Sequence, residues 1–124
     1  MKTTLNILAW ILAVLLAVVF VFAGGAKLLG ARAMVQEFAQ IGIGQWFRYF
    51  TGILEFSGAI GVLIPKYRWW AALQIGVVMV GATAANIWIL HLPPLAGLTV
   101  FLLAAALALA WLGRPKERGT VAAS

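Results

Sequence analysis

Cysteine is absent from the chain, and histidine occurs once, as His91. The first absence excludes a disulfide framework, thiol–disulfide exchange and a thiolate metal site. The second excludes a bis-histidine haem or a histidine-based metal centre built by one chain. Acids are almost as scarce. Glu37, Glu55 and Glu117 are the only 3, against 9 Lys and Arg, for a net charge of +6. Charged residues make up 10% of the 124 and apolar residues 65%. A soluble domain of this length cannot hide so much apolar surface in one core, so the solvent for most of it is lipid. The positive charge does not imply a nucleic-acid partner, because the cations flank apolar segments instead of gathering as a patch on a polar fold.

What is present is a series of long apolar segments. A span needs about 20 apolar residues at ~1.5 Å rise per residue to cross a hydrocarbon core of roughly 30 Å. Leu5–Leu29, Trp46–Ile64, Trp69–Leu90 and Leu95–Leu112 meet or approach that length. The first has Lys2 before it and Ala31-Arg-Ala33 after it, as a signal peptide would, but its apolar run exceeds the ~7–15 residues of such a segment. Trp10, Trp46, Trp69, Trp70, Trp88 and Trp111 fall near the proposed ends, where amphipathic rings favour the headgroup region. Pro65 closes the second span and Pro93-Pro94 separates the third from the fourth, since proline removes a backbone donor and restricts the residue before it. No strand-like alternation suggests a barrel. The expected fold is all-α, a single four-helix membrane bundle over residues 1–113 with spans near 5–29, 46–64, 69–90 and 95–112. Residues 114–124 read as a flexible tail.

The one substantial connection, Gly30–Gln45, carries Met34, Phe38 and Ile41 at helical spacing with Arg32, Gln36, Glu37 and Gln40 between them. That pattern suits a short amphipathic helix at the interface between the first two spans, or equally an ordinary polar loop. With four spans, Lys2, Lys66, Arg68, Arg114, Lys116 and Arg118 lie on one side, and Lys27, Arg32 and Arg48 on the other. The positive-inside rule then puts both termini in the cytoplasm, in a plasma (inner) membrane protein.

Glu55 stands near the middle of the second apolar segment. A carboxylate at the bilayer centre costs roughly 3 kcal/mol on insertion scales, so such groups are paired, protonated or functional. Measured from the outer ends, Lys27 lies about 3 Å deep, Asn86 about 6–9 Å and Glu55 about 13 Å. A lysine stem can carry its charge several ångströms, which makes Lys27, Asn86 and Glu55 the candidate polar cluster, provided their helices adjoin. Glu55 shares a helix face with Gly52, Ala59 and Val62, and Lys27 with Phe20, Ala23 and Gly24. These small neighbours permit close helix approach and point both polar faces inward. The competing structural account is an interhelical bond for Glu55, a snorkelling end-anchor for Lys27 and packing roles for Asn86 and Thr83. Gly58, Gly61, Gly76, Gly81 and Ala85 read as packing positions, Gln74 has no assigned role, and His91 is a solvated residue at a helix end.

Three motifs carry a family resemblance. Phe20-Val-Phe-Ala-Gly24-Gly-Ala-Lys27-Leu28 resembles the F-x-x-x-G-x-x-K-L ending of the first helix in DoxX-like membrane proteins. Phe38-Ala-Gln-Ile-Gly42 is similar to that family's phenylalanine–glycine element, and Gly52-Ile-Leu-Glu55-Phe-Ser-Gly58 to its G-x-x-E-x-x-G. Asn86 stands where the family often has histidine, which removes a titratable group. The resemblance implies a four-helix membrane module, linked in some members to quinone or sulfur oxidation and in others to partner proteins.

Two functional classes remain. One is a module, non-catalytic alone, that binds a partner subunit, a second copy of itself or an amphipathic ligand such as a quinone through Glu55, Lys27 and Asn86. The other is a proton- or cation-coupled transporter resembling small multidrug resistance proteins, although their membrane glutamate lies in the first helix. No nucleophile–base or metal constellation is legible, and no cofactor is expected within the chain. A redox role would make it a membrane subunit of an oxidoreductase complex.

Overall fold

The computed structural model describes residues 2–114, which form five helices and no strand. They are α1 (Lys2–Leu29), α2 (Arg32–Ile41), α3 (Gln45–Val62), α4 (Arg68–Trp88) and α5 (Pro93–Leu112). The helix count thus exceeds the four expected spans by one, because the connection open to two readings is itself a helix of 10 residues. Its end is set by Gly42, which takes a left-handed φ of 84° and donates its N–H to the Phe38 carbonyl at 3.1 Å. Glycine adopts that conformation without a Cβ clash. Pro93 and Pro94 open α5 at positions where a missing N–H costs nothing. Beyond Arg114, the tail expected over 114–124 lies outside the described residues.

Three segments are long and apolar enough to cross a membrane by length and composition: Thr3–Leu29, Arg68–Trp88 and Pro93–Leu112. The 18-residue α3 is not among them. Arg48 and Glu55 lower its mean hydropathy, yet both side chains are buried, at 5% and 2% exposure. The outward side of α3 presents Phe50, Ile53 and Ile60. Its two charged residues therefore face inward, while Phe50, Ile53 and Ile60 face out.

The four long helices close into a ring: α1 packs against α3 and α5, and α4 against α5 and α3. The short α2 leans on α3, with Phe38 buried and its ring 5.9 Å from that of Phe47. Leu16, Phe20, Val62, Ile75 and Leu109 fill the centre. Polar side chains stitch neighbours across the ring. Gln74 Nε2 donates to Leu54 O at 2.8 Å and Ser57 Oγ at 2.9 Å, and the Thr83 and Thr99 hydroxyls meet at 2.8 Å. Gln74, given no role from sequence, thus ties α4 to α3.

Small residues set the spacing of the helices. A Cβ added at Gly24 would fall 2.8 Å from Phe56 N and 2.9 Å from Gly52 O, both backbone atoms of α3. At Gly58 and Gly61 it would meet Ile75 at 2.8 Å and Ala71 at 2.7 Å, bringing α4 equally close. Gly81 is different, with nothing within 4 Å, so it is not a packing contact. Gly24→Ala must push α1 from α3 and should destabilise the fold by about 1–3 kcal/mol. Gly25→Ala meets nothing within 4 Å and should be neutral or stabilising, because alanine is the better helix former. Thermal unfolding of both variants in detergent checks this; equal midpoints would contradict the close α1–α3 approach.

Candidate functional site

The tight α1–α3 contact has a direct consequence in the last turn of α1. A Cβ at Gly52 would lie 3.0 Å from Lys27 Cβ, so the absence of a side chain there gives the lysine stem its path along α3. Lys27 Nζ reaches Glu55 Oε1 at 2.7 Å, with the two side chains 14% and 2% exposed. Oε1 makes no aligned hydrogen bond, so the contact is one of opposite charges. Gly52, Ala59 and Val62, on the same face of α3 as Glu55, are buried as well. The acid points into the bundle.

Arg48 completes the arrangement, and sequence reading counted it only among the flanking cations. It donates from Nη1 to the backbone carbonyl of Lys27 and from Nε to Gln45 Oε1 at 2.7 Å, and its guanidinium lies 4.2 Å from the centre of the Tyr49 ring. The carbonyls of a final helical turn lack partners within the helix and carry negative partial charge, so a buried cation there is well matched. Gln45 in turn donates from Nε2 to Val35 O at 3.0 Å, holding α2 over the site. The available signal was periodicity: Arg48, Gly52, Glu55, Ala59 and Val62 repeat at helical spacing on one face.

Above the ion pair lies a cavity of about 220 Å³ bounded by α1, α2, α3 and α4. Lys27, Glu55, Thr51 and Glu37 supply its polar groups, Phe38, Phe47 and Phe50 its aromatic wall, and Val77, Val78, Gly81 and Ala82 its far side. Bare Gly81 leaves part of this space open. Glu37 was not among the predicted site residues, since its place depends on how α2 folds back. Asn86, which was, does not line this cavity. It is buried, its Oδ1 has no hydrogen-bond partner, and it makes no bond to Lys27 or Glu55 among the described residues. The structure therefore unites two of the three predicted residues and adds Glu37 and Thr51.

Chemically the site offers a cationic donor, a carboxylate acceptor and an apolar, aromatic surround. Among the described residues no three His, Asp or Glu side chains come together as a metal site would require. Breaking a buried ion pair by removing one partner costs about 3–5 kcal/mol, because the other charge is left uncompensated. Lys27→Met should accordingly lower stability in micelles by an amount of that order, and Lys27→Met/Glu55→Gln should regain most of it. Equal stability of the single and double variants would contradict the pairing.

The residues that make this contact, Gly24, Lys27, Gly52 and Glu55, are those of the sequence motifs. A family model described as the DoxX-like family matches residues 11–110. No curated protein and no solved structure matches the chain significantly. The family match runs from the third turn of α1 to the last turn of α5 and takes in the motifs on α1, α2 and α3. The chain belongs to the DoxX-like family and is a membrane protein.

Proposed function

We propose that the protein is a four-span membrane module that holds the head of a small amphipathic ligand, such as a quinone, in the cavity above Lys27 and Glu55. The observation that carries this reading is a buried ion pair at the base of a pocket walled by Phe38, Phe47 and Phe50. A ring oxygen accepts from the Lys27 ammonium, a hydroxyl of the reduced, quinol form donates to Glu55, and the aromatic wall receives the ring's face and edge. Pockets for whole drug-sized ligands span ~300–1,000 Å³. The volume here, about 220 Å³, suits a ring head group whose tail stays among the lipids. On this reading the module is non-catalytic alone, and any electron transfer belongs to a partner subunit.

The proposed topology takes α1, α3, α4 and α5 as spans and α2 as an interfacial helix, with both termini in the cytoplasm of a plasma-membrane protein. The inward polar face of α3 supports counting it as a span despite its lower hydropathy. In a chain without native cysteine, Arg32→Cys and Lys66→Cys should label from opposite sides with a membrane-impermeant reagent, both positions being exposed. Labelling from one side would remove the four-span reading.

Ligand binding is tested with a short-tailed ubiquinol analogue, kept reduced, and purified protein in nanodiscs. Losing one charge-assisted contact corresponds to roughly tenfold in affinity, so Glu55→Gln should weaken binding by about that factor. Vesicles containing only this protein should show no pH-gradient-driven uptake of lipophilic cations. Glu55-dependent uptake would favour the transporter reading, and unchanged quinol affinity in Glu55→Gln would displace the binding reading.

A further inference from the structure

The opposite end of the bundle holds a second polar cavity, of about 370 Å³, between α1, α4 and α5. Its polar lining is Asn6, Arg68 and Arg114, and no acid lines it. Of the three acids in the chain, Glu37 and Glu55 line the other cavity and Glu117 lies outside the described residues.

Arg68 is unusual for a cation at a helix start, being only 6% exposed. Nε donates to Val62 O at 2.8 Å, the guanidinium carbon lies 4.3 Å from the Trp10 ring centre, and a Cβ at Gly113 would come within 3.2 Å of Cγ. One edge, one face and the stem are thereby held in place. Among the described residues, Nη2 is buried with no hydrogen-bond partner. An unpaired, buried, charged donor is among the costlier features a fold retains, and a guanidinium fork fixed in this way matches the oxygens of an oxyanion. Arg114, just beyond the end of α5, brings a second guanidinium, resting 4.1 Å from the Trp111 ring centre.

We propose that this cavity is an anion site for a phosphate group, borne by an anionic lipid head group or free in solution. Two guanidiniums, one from the start of α4 and one from just beyond α5, favour phosphate over carboxylate, because a tetrahedral group presents separate oxygens to each. The site is independent of the quinone reading, since it shares no lining residue with the cavity at Glu55.

The test is native mass spectrometry of the full chain in micelles with phosphatidylglycerol or phosphatidylcholine, followed by competition with inorganic phosphate. Wild type should retain phosphatidylglycerol over phosphatidylcholine. Arg68→Gln and Arg114→Gln should each weaken retention by about tenfold, the equivalent of one charge-assisted contact. Lys66→Gln, next to the site in sequence but outside its lining, should stay near wild type, as should Glu55→Gln. Displacement of the lipid by millimolar phosphate supports a site that also accepts the free ion, whereas lipid retention under the same competition supports a site for the head group. Binding of neither probe overturns the proposal, and so does equal loss in Lys66→Gln and Arg114→Gln, which would mean nonspecific charge attraction. Arg114 is exposed, so its variant decides the matter even if Arg68→Gln fails to fold.

Discussion

A carboxylate inside an apolar bundle requires a partner, and this requirement organises half of the molecule. Water cannot solvate Glu55 at 2% exposure, so a cation must reach it from a neighbouring helix. Lys27 does so only because α1 and α3 approach to backbone contact at Gly24 and Gly52. Arg48 then binds the carbonyl at the same residue, which fixes the end of α1 by its backbone as well as its side chain. From Arg48 the chain of contacts passes through Gln45 to α2, whose Phe38 closes over the cavity. One ion pair, two glycines and one capping arginine thus place a short amphipathic helix over a pocket.

Much of this was legible in residue order, and the parts that were not share a cause. Apolar run length located the long helices to within a few residues, since lipid solvation acts on each segment independently of its neighbours. The inward face of α3 was legible from the small residues around Glu55, and the meeting of Lys27 with Glu55 from depth and stem length. Asn86 was placed with them by depth alone, but depth does not say which helices adjoin. In the ring, α4 contacts α3 and α5, and Asn86 meets neither charge. Gln74, Arg48 and Glu37 were missed for the same reason. Each takes its role from a particular neighbour: Leu54 and Ser57 for Gln74, the end of α1 for Arg48, and the folded-back α2 for Glu37. Trp10, read as an interface anchor, also has a contact that depends on a neighbour: its ring lies against Arg68.

Charge in the two ends of the bundle is arranged by opposite rules. At the α2 end Lys27 pairs with Glu55 and Glu37 adds a second acid, so the pocket proposed for a quinone-like head group offers both donor and acceptor groups. At the other end two arginines line a cavity with no acid among the described residues, in keeping with the proposed anion site. The composition alone, with 9 cations and 3 acids, requires most positive charges to do without a carboxylate. How each copes differs by position. Arg48 uses helix-end carbonyls, Arg68 a carbonyl and an indole face, and Arg114 the Trp111 ring.

Between these ends the interior is closed by Leu16, Val62, Ile75 and Leu109, each 0% exposed, with Ala13, Ala59, Ala72 and Ala106 equally sealed. This matters for the choice between binding and transport. A carrier must expose its acid alternately to the two sides, which here means parting a close-packed layer. Gly58 and Gly61 already hold α3 and α4 at the limit of approach, within 3 Å of where a Cβ would meet Ile75 and Ala71. Packing this close is bistable at most, and a second state needs a rival arrangement of the same residues. The α2 end meets no such barrier, because its cavity is bounded partly by a short helix held through Gln45 and Phe38. A shift of α2 would open the pocket without disturbing the sealed centre. A site opening on one side of a sealed core fits a ligand taken up and released on the same face, as the proposed binding module requires, better than it fits alternating access.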